Sequence, residues 1–245
     1  MYDLFKQGDK MGKVLAIMVS FFMAIDIVVA KAPPQRPAWL VEKLKEFRLP
    51  KPKISHVGNR SYYVETGKLR SWTRIGIKVT PGKPEQMARE FFTQYAELFG
   101  MKHDLSDLRL KQIRETRVRE ANDAYRVEFY QVYEGIPVYG GNVGVIVKKD
   151  GEVVSAFSEY KMQLKLDTLT PAISEVTAID IALNFLQVQG EIYSGPKSEL
   201  IVFPSKGGRL AYRISIIPQY PMGDWEIFID AITGKVLHLH DIAMY

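Results

Sequence analysis

Tyr125-Arg126-Val127-Glu128-Phe129-Tyr130-Gln131-Val132-Tyr133-Glu134-Gly135-Ile136-Pro137-Val138-Tyr139-Gly140-Gly141 is the stretch on which the fold turns. Tyr125, Val127, Phe129, Gln131 and Tyr133 alternate with Arg126, Glu128, Tyr130, Val132 and Glu134. That is the period of a strand, with aromatic residues on both faces. Gly135 and Pro137 suit a tight turn into a second strand. Gly140 and Gly141 mark a bulge or a close backbone approach, where a side chain would clash. Asp150-Gly151 then supplies a hairpin turn. Strands joined this closely run antiparallel.

Working outward, one pattern occurs twice. Pro84 opens a helical stretch, Glu85–Phe99, with Met87, Phe91, Tyr95 and Leu98 on one face and Gly100 past its end. Four strand-like stretches follow, at about 107–118, 124–133, 138–149 and 152–165. After Pro171, Ser174 is a helix N-cap with Glu175 in the first turn. Val176, Ile179, Leu183 and Leu186 line a helix expected to end near Gln189–Gly190. Strand-like stretches come again at about 198–204, 209–217, 224–231 and 235–240, the last reached through Thr233-Gly234. The expected fold is α+β. It has two tandem units of about 80 residues, each a helix packed on a roughly four-stranded antiparallel sheet whose other face can stay open.

The chain has 245 residues and a net charge of +5, unevenly spread. Residues 31–80 carry 12 Lys and Arg against 3 Glu, and residues 81–245 are net −4. Residues 33–52 interleave Pro33, Pro34, Pro37, Pro50 and Pro52 with basic residues, around a short amphipathic helix at 39–47. Residues 31–80 therefore read as a basic, Pro-rich linker and N-terminal segment, strand-like from about 54. It has two uses: solubility, or contact with an anionic membrane or cell wall. Upstream, Lys10 and Lys13 precede an apolar run from Val14 to Ala30, broken by Ser20 and Asp26. A basic start, an apolar core at Val14–Ile25 and Ala30 at the cut give a signal peptide over 1–30 and export to the extracellular space or envelope. An uncleaved anchor is the alternative.

With no Cys, the chain has no disulfide, Cys-ligated metal or thiol nucleophile. It lacks H-E-x-x-H, G-x-S-x-G, a P-loop, an EF-hand loop and G-x-G-x-x-G; Gly140–Gly144 has the wrong spacing for the last. His238 and His240 share a strand face, but a metal site needs a third ligand. Glu226 and Asp230 also share a face and read as solvated or turn-capping carboxylates. Catalytic residues, metal ligands and cofactors are all expected to be none. Trp39, Tyr62, Tyr63 and Trp72 among the basic residues would suit single-stranded nucleic acid, a partner that export argues against.

The stretch Tyr125–Gly141 with Asp150-Gly151 resembles the fungalysin/thermolysin propeptide (FTP) domain of thermolysin-type zinc metalloproteases, which carries Gly-x-Pro-Val-(aromatic)-Gly between two strands. The second copy resembles the PepSY domain that follows it. Its matching pieces are the helix start at Pro171, Leu200–Pro204, Leu210–Arg213 and Trp225–Leu237 with its Asp230-Ala231-Ile232-Thr233-Gly234 turn. The resemblance implies an FTP-like unit over 81–166 and a PepSY-like unit over 167–245, in the manner of cystatin-like half-barrels. The motif residues Tyr130, Gln131, Gly135, Pro137, Val138, Tyr139, Gly140, Gly141, Asp150, Gly151, Trp225, Asp230, Ala231, Thr233 and Gly234 then specify structure. The family's pro-region is an inhibitor and folding chaperone of the protease joined to it, and the zinc and its ligands belong to that protease. The partner implied is thus a secreted thermolysin-type metalloprotease, in cis in the family and in trans here if the chain stands alone. Its tail, with His238, His240 and Asp241, is a candidate to enter the protease cleft as an added strand. Two alternatives share these features: a non-inhibitory envelope-binding module, and a truncated precursor of a metalloendopeptidase.

Overall fold

The computed structural model describes residues 36–118, 121–205 and 207–244. The expected signal peptide lies outside them. The architecture is α+β, a large and mostly antiparallel sheet with few helices. Helix α1 spans Ala38–Glu46, α2 Pro84–Phe99 and α3 Glu175–Leu186. The strands are β1 Ile54–Val57, β2 Arg60–Tyr63, β3 Leu69–Lys78, β4 Leu108–Val118, β5 Ala121–Tyr133, β6 Ile136–Lys148, β7 Glu152–Ser158, β8 Gln189–Phe203, β9 Arg209–Tyr220, β10 Trp225–Asp230 and β11 Val236–Asp241. Hydrogen-bonded neighbours run β1-β2-β3-β7-β6-β8-β9-β10-β11, with β5 on the far edge of β6 and β4 on β5. Along one edge of β6, β7 pairs at Val143–Val147 and β8 joins in parallel where Val138 meets Val202. That contact unites two antiparallel sheets.

Each sheet has a core under a helix. Beneath α2, Met87, Ala88, Phe91, Phe92, Ala96 and Phe99 meet Val127 and Phe129 of β5, Val143 and Val145 of β6 and Trp72 of β3. The aromatic rings interlock edge to face: Phe92 lies 5.6 Å from Phe99 and 6.3 Å from Phe129. Pro84 at the first turn and left-handed Gly100 at the end bound this helix as expected. The buried face is rotated from the expected one: Phe92 and Phe99 are covered, while Leu98 is 43% exposed. Under α3, the Ser174 hydroxyl caps Thr177 N–H at 3.1 Å. The face against the sheet is Ala178, Ala182 and Leu186, and Val176, expected inside, is 68% exposed. Two alanines let this helix lie close to Tyr212, Ile214, Trp225 and Ile227, so the larger Ile179 and Leu183 pack from the flanks. It ends at Leu186 because Gln187 turns left-handed, and β8 starts at Gln189, well before the expected 198. Strand β7 ends at Ser158 and not at 165.

Residues 36–80 hold the expected short helix and strands, joined by exposed chain at 48–53. Strands β1–β3 extend the first sheet through β3–β7 pairing, and Leu69 and Trp72 enter its core. Helix α1 goes to the other core: Leu40 is fully buried among Trp225, Leu239 and Leu186, and Phe47 meets Phe185 edge to face at 5.7 Å. The apolar positions 40, 44 and 47 fix this, since burying one such side chain is worth about 1.5–3 kcal/mol. Some of the basic residues, such as Arg48 and Lys51, remain exposed, while Arg36, Lys43 and Arg60 are partly buried against Asp241, Phe185 and Trp72. Among the described residues, no helix is long and apolar enough to cross a membrane.

Candidate functional site

Helices cover only one face of each sheet. On the opposite face of the second sheet, side chains alternate out from β8 (Glu199, Ile201, Phe203), β9 (Ala211, Arg213), β10 (Glu226, Phe228) and β11 (His238). Tyr139 of β6 lies on this face. Its ring stacks at 6.0 Å and 15° on Phe203 and sits 4.5 Å from Phe228. The Val138–Val202 pairing puts it there, since the residue after a paired position points to the opposite face. Burial raises the Tyr139 phenol above its ordinary value, and the Glu226 carboxylate adds to this against the Arg213 charge. Arg213 pairs with buried Glu226 and, at 3.5 Å, with Glu199. Burial opposes the Arg213 charge, but Glu226, helped by Glu199 and Tyr139, offsets it and holds the guanidinium above its ordinary value. Beside Tyr139 a cleft of about 540 Å³ opens between the sheets, lined by Lys111, Tyr130, Asn142, Pro137, Glu199 and Arg213 among others.

The expected motif residues divide by task. Gln131 is buried and clamps the backbone leaving the first sheet: its amide donates to Lys161 O at 2.9 Å and accepts from Lys161 N–H at 2.8 Å. A Cβ on Gly141 would stand 2.8 Å from the Gln131 Cβ, so the glycine makes room for the clamp. Gln131 is also the residue passed over in the β5–β6 register, which lets it turn inward. Gly135, at φ +86°, closes the β5–β6 turn after left-handed Glu134, and Gly140 is left-handed beside Lys161. Pro137 opposes Val132 in that hairpin. Gly151 permits the backbone approach of Val79, whose oxygen would lie 2.2 Å from an added Cβ. Asp150 binds Lys78 at 2.6 Å, which holds its carboxyl below the usual range.

In the second sheet, Trp225 is fully buried and donates from Nε1 to Pro221 O at 2.9 Å. Asp230 accepts from Ile232 N–H at 3.0 Å and Thr233 N–H at 2.8 Å, and pairs with Arg209. Burial disfavours its charge, but these partners together hold the carboxyl below its ordinary value. Gly234 is left-handed at φ +70°. Ala231, fully buried, accepts from Ala172 and Ile173 at 2.9 and 3.1 Å and ties the entry to α3 to this turn.

The expected tail is a strand. His238 and Asp241 are buried: His238 Nδ1–H donates to Phe47 O at 2.7 Å, and Asp241 pairs with Arg36 and accepts from Asp224 and Ala243 at 3.1 and 3.0 Å. His240 lies 6.0 Å from His238, ring to ring. Pairing with β10 puts these side chains in the fold, away from a free end. Glu226, expected in solvent, is buried by Tyr139 and Arg213. Sequence reading did not single out Arg213, Glu199 and Arg36 as partners, because Arg213 meets Glu199 and Glu226 only through the register of β8, β9 and β10. Among the described residues, no group of three His, Asp or Glu could hold a metal ion. The arrangement is one of ring packing and ion pairing beside an open cleft.

Comparisons with known proteins agree with the motif reading. Residues 112–160 match the Fungalysin/Thermolysin Propeptide Motif, and residues 172–238 match the Peptidase propeptide and YPEB domain. Neutral protease B of Bacillus subtilis (strain 168) is 39% identical over 113 residues, 44% of this chain and 21% of that protein. Bacillolysin of Brevibacillus brevis is 25% identical over 171 residues, 65% of this chain and 32% of that protein. The chain thus spans about a fifth to a third of these relatives. Among solved structures, the Bacillus megaterium YpeB C-terminal domain aligns at 13% identity with a TM-score of 0.36, over 78% of this chain and 88% of that one. With both motifs present in that order, residues 112–160 and 172–238 are similar to the propeptide region of thermolysin-type proteases.

Proposed function

We propose that the chain is an exported pro-region that inhibits a thermolysin-type zinc metalloprotease and assists its folding, with no catalytic activity of its own. The observation that carries this is the FTP motif followed by a PepSY domain, in a chain of which 113 residues are 39% identical to part of Neutral protease B. The sequence supports export through the signal-like residues 1–30. Two units, FTP-like to about 166 and PepSY-like beyond, each with a helix on its sheet in the cystatin-like manner, are the working division. In this reading the motif residues from Gln131 to Gly234 hold the recognition surface in shape. The Tyr139 cleft and the helix-free faces beside it are the surface offered to the protease. The tail at His238, His240 and Asp241 takes part as folded strand β11 beside α1, and the two buried side chains do not have to leave the fold.

The test mixes the purified protein with a secreted thermolysin-type protease and follows peptide hydrolysis, then repeats with unfolded protease to follow recovery of activity. Inhibition at micromolar protein, or faster recovery, supports the proposal. Neither effect at that concentration overturns it.

A further inference from the structure

Strand edges are ready-made templates for another chain, and folded proteins keep them short, broken or covered. Strand β1 ends its side of the sheet with four residues. Strand β11 ends the other with six, and α1 is fastened beside it by His238–Phe47 and Arg36–Asp241. The outer half of β8 is interrupted by three register shifts and by Pro196. Strand β4 differs. It has 11 residues, about 35 Å at an ordinary strand rise, and among the described residues it pairs only with β5. Between its two bulges, Gln112–Thr116 stays in regular register.

The side chains of this edge have a consistent character. Leu110 and Ile113 are 38% and 40% exposed. Arg109, Lys111, Arg114 and Arg117 stand along the strand against a single acid, Glu115, which Lys149 answers at 3.4 Å. Arg109, Lys111 and Arg114 reach no carboxylate among the described residues. Lys111 instead donates to Asn142 Oδ1 at 3.3 Å, on the rim of the Tyr139 cleft. A second copy pairing here would set cation against cation, which disfavours self-association. We infer that the free edge of β4 is a strand-addition site for an extended acidic segment of the partner protease. Backbone hydrogen bonds would hold the added strand, alternate Asp or Glu side chains would meet Arg109, Lys111 and Arg114, and small apolar residues between them would cover Leu110 and Ile113. The identity of the partner rests on the pro-region reading; the edge and its acidic occupant do not.

The probe is a fluorescein-labelled peptide of about ten residues alternating Glu with Thr and Val, titrated with the whole protein and read by anisotropy. Binding is expected, and it should weaken at least about tenfold in the double variant Lys111→Glu/Arg114→Glu, while Arg48→Glu leaves it unchanged. Methylating alternate backbone nitrogens of the peptide keeps its charge and removes its donors, and should abolish binding to the unaltered protein, whatever the folding of the variants. Equal binding of the methylated peptide, or binding only to anionic phospholipid vesicles, overturns the inference. In the protease assay, inhibition undiminished by the double variant shows that β4 is not the contact and leaves the pro-region reading intact. Peptide binding at β4 without any inhibition by the unaltered protein supports the edge and removes the protease as its partner.

Discussion

The two sheets hide their surfaces in different ways. In the first, α2 covers one face with a dense set of rings, and the other face stays open, with Arg126 paired to Glu128 and Phe157 lying over Gly144. In the second, all six residues of β10 are buried. Trp225, Ile227 and Ile229 face α3, while Glu226 and Phe228 lie under Tyr139. Neither cover of the second sheet is complete from its own sequence: Tyr139 comes from the first motif and Leu40 from the N-terminal basic segment. The matched residues 172–238 therefore depend on chain outside that match, supplied by α1 and by Tyr139 of β6.

The largest test of this dependence is Leu40→Ala. It leaves a cavity among Trp225, Leu186 and Leu239 and should cost about 2–5 kcal/mol. Amide exchange should quicken in β9–β11 more than in β5–β7. Equal loss in both sheets would mean that they unfold as one unit and that the asymmetry is only geometric. Tyr139→Ala attacks the other cover. Half-buried, it should cost about 2–3 kcal/mol, below the 3–5 of a fully buried aromatic. It also strips Glu226 and Phe228 of their lid, so a dye that binds exposed apolar surface should report it, and Tyr139→Phe should not.

Gly141→Ala probes the joint. The added methyl meets the Gln131 side chain at 2.8 Å, and displacing that clamp frees the Lys161 backbone. An overpacked site of this kind costs about 1–3 kcal/mol, whereas Gly82→Ala, with nothing closer than 3.8 Å, should be near neutral in the same denaturant titration.

The strands around Tyr125–Gly141 and the Asp230–Gly234 turn were legible because period-two patterning and turn chemistry are local. The helix faces were less so. A face of Ala178 and Ala182 carries little hydropathy, and close approach to a sheet is a tertiary demand that no helical period encodes. The fate of residues 36–80 was hidden for the same reason: Leu40 is one leucine among charges, and only its distant partners Trp225 and Leu239 make it core. Ion pairs across β9 and β10 needed the register, which sets Phe228 beside Arg213 and was not available from spacing. The histidines read as a tail, yet the pairing of β11 to β10 makes His238 interior.

The smallest expected effect sharpens that last point. Burial holds the His238 imidazole below its ordinary value, outweighing the Phe47 carbonyl bond, with His240 lowering it further and Glu226 opposing. The unfolded chain therefore takes up this proton first as pH falls below about 6.5, so stability due to His238 is complete above that value and is lost as pH drops toward the folded-state one. His238→Gln keeps an amide donor for Phe47 and removes the titration. Its stability between pH 5 and 7.5 should be flatter than that of the unaltered protein. Identical slopes would place the pH response elsewhere. A steeper loss in exchange protection at α1 than at α2 in the unaltered protein would show that His238 helps hold the N-terminal helix to the second sheet.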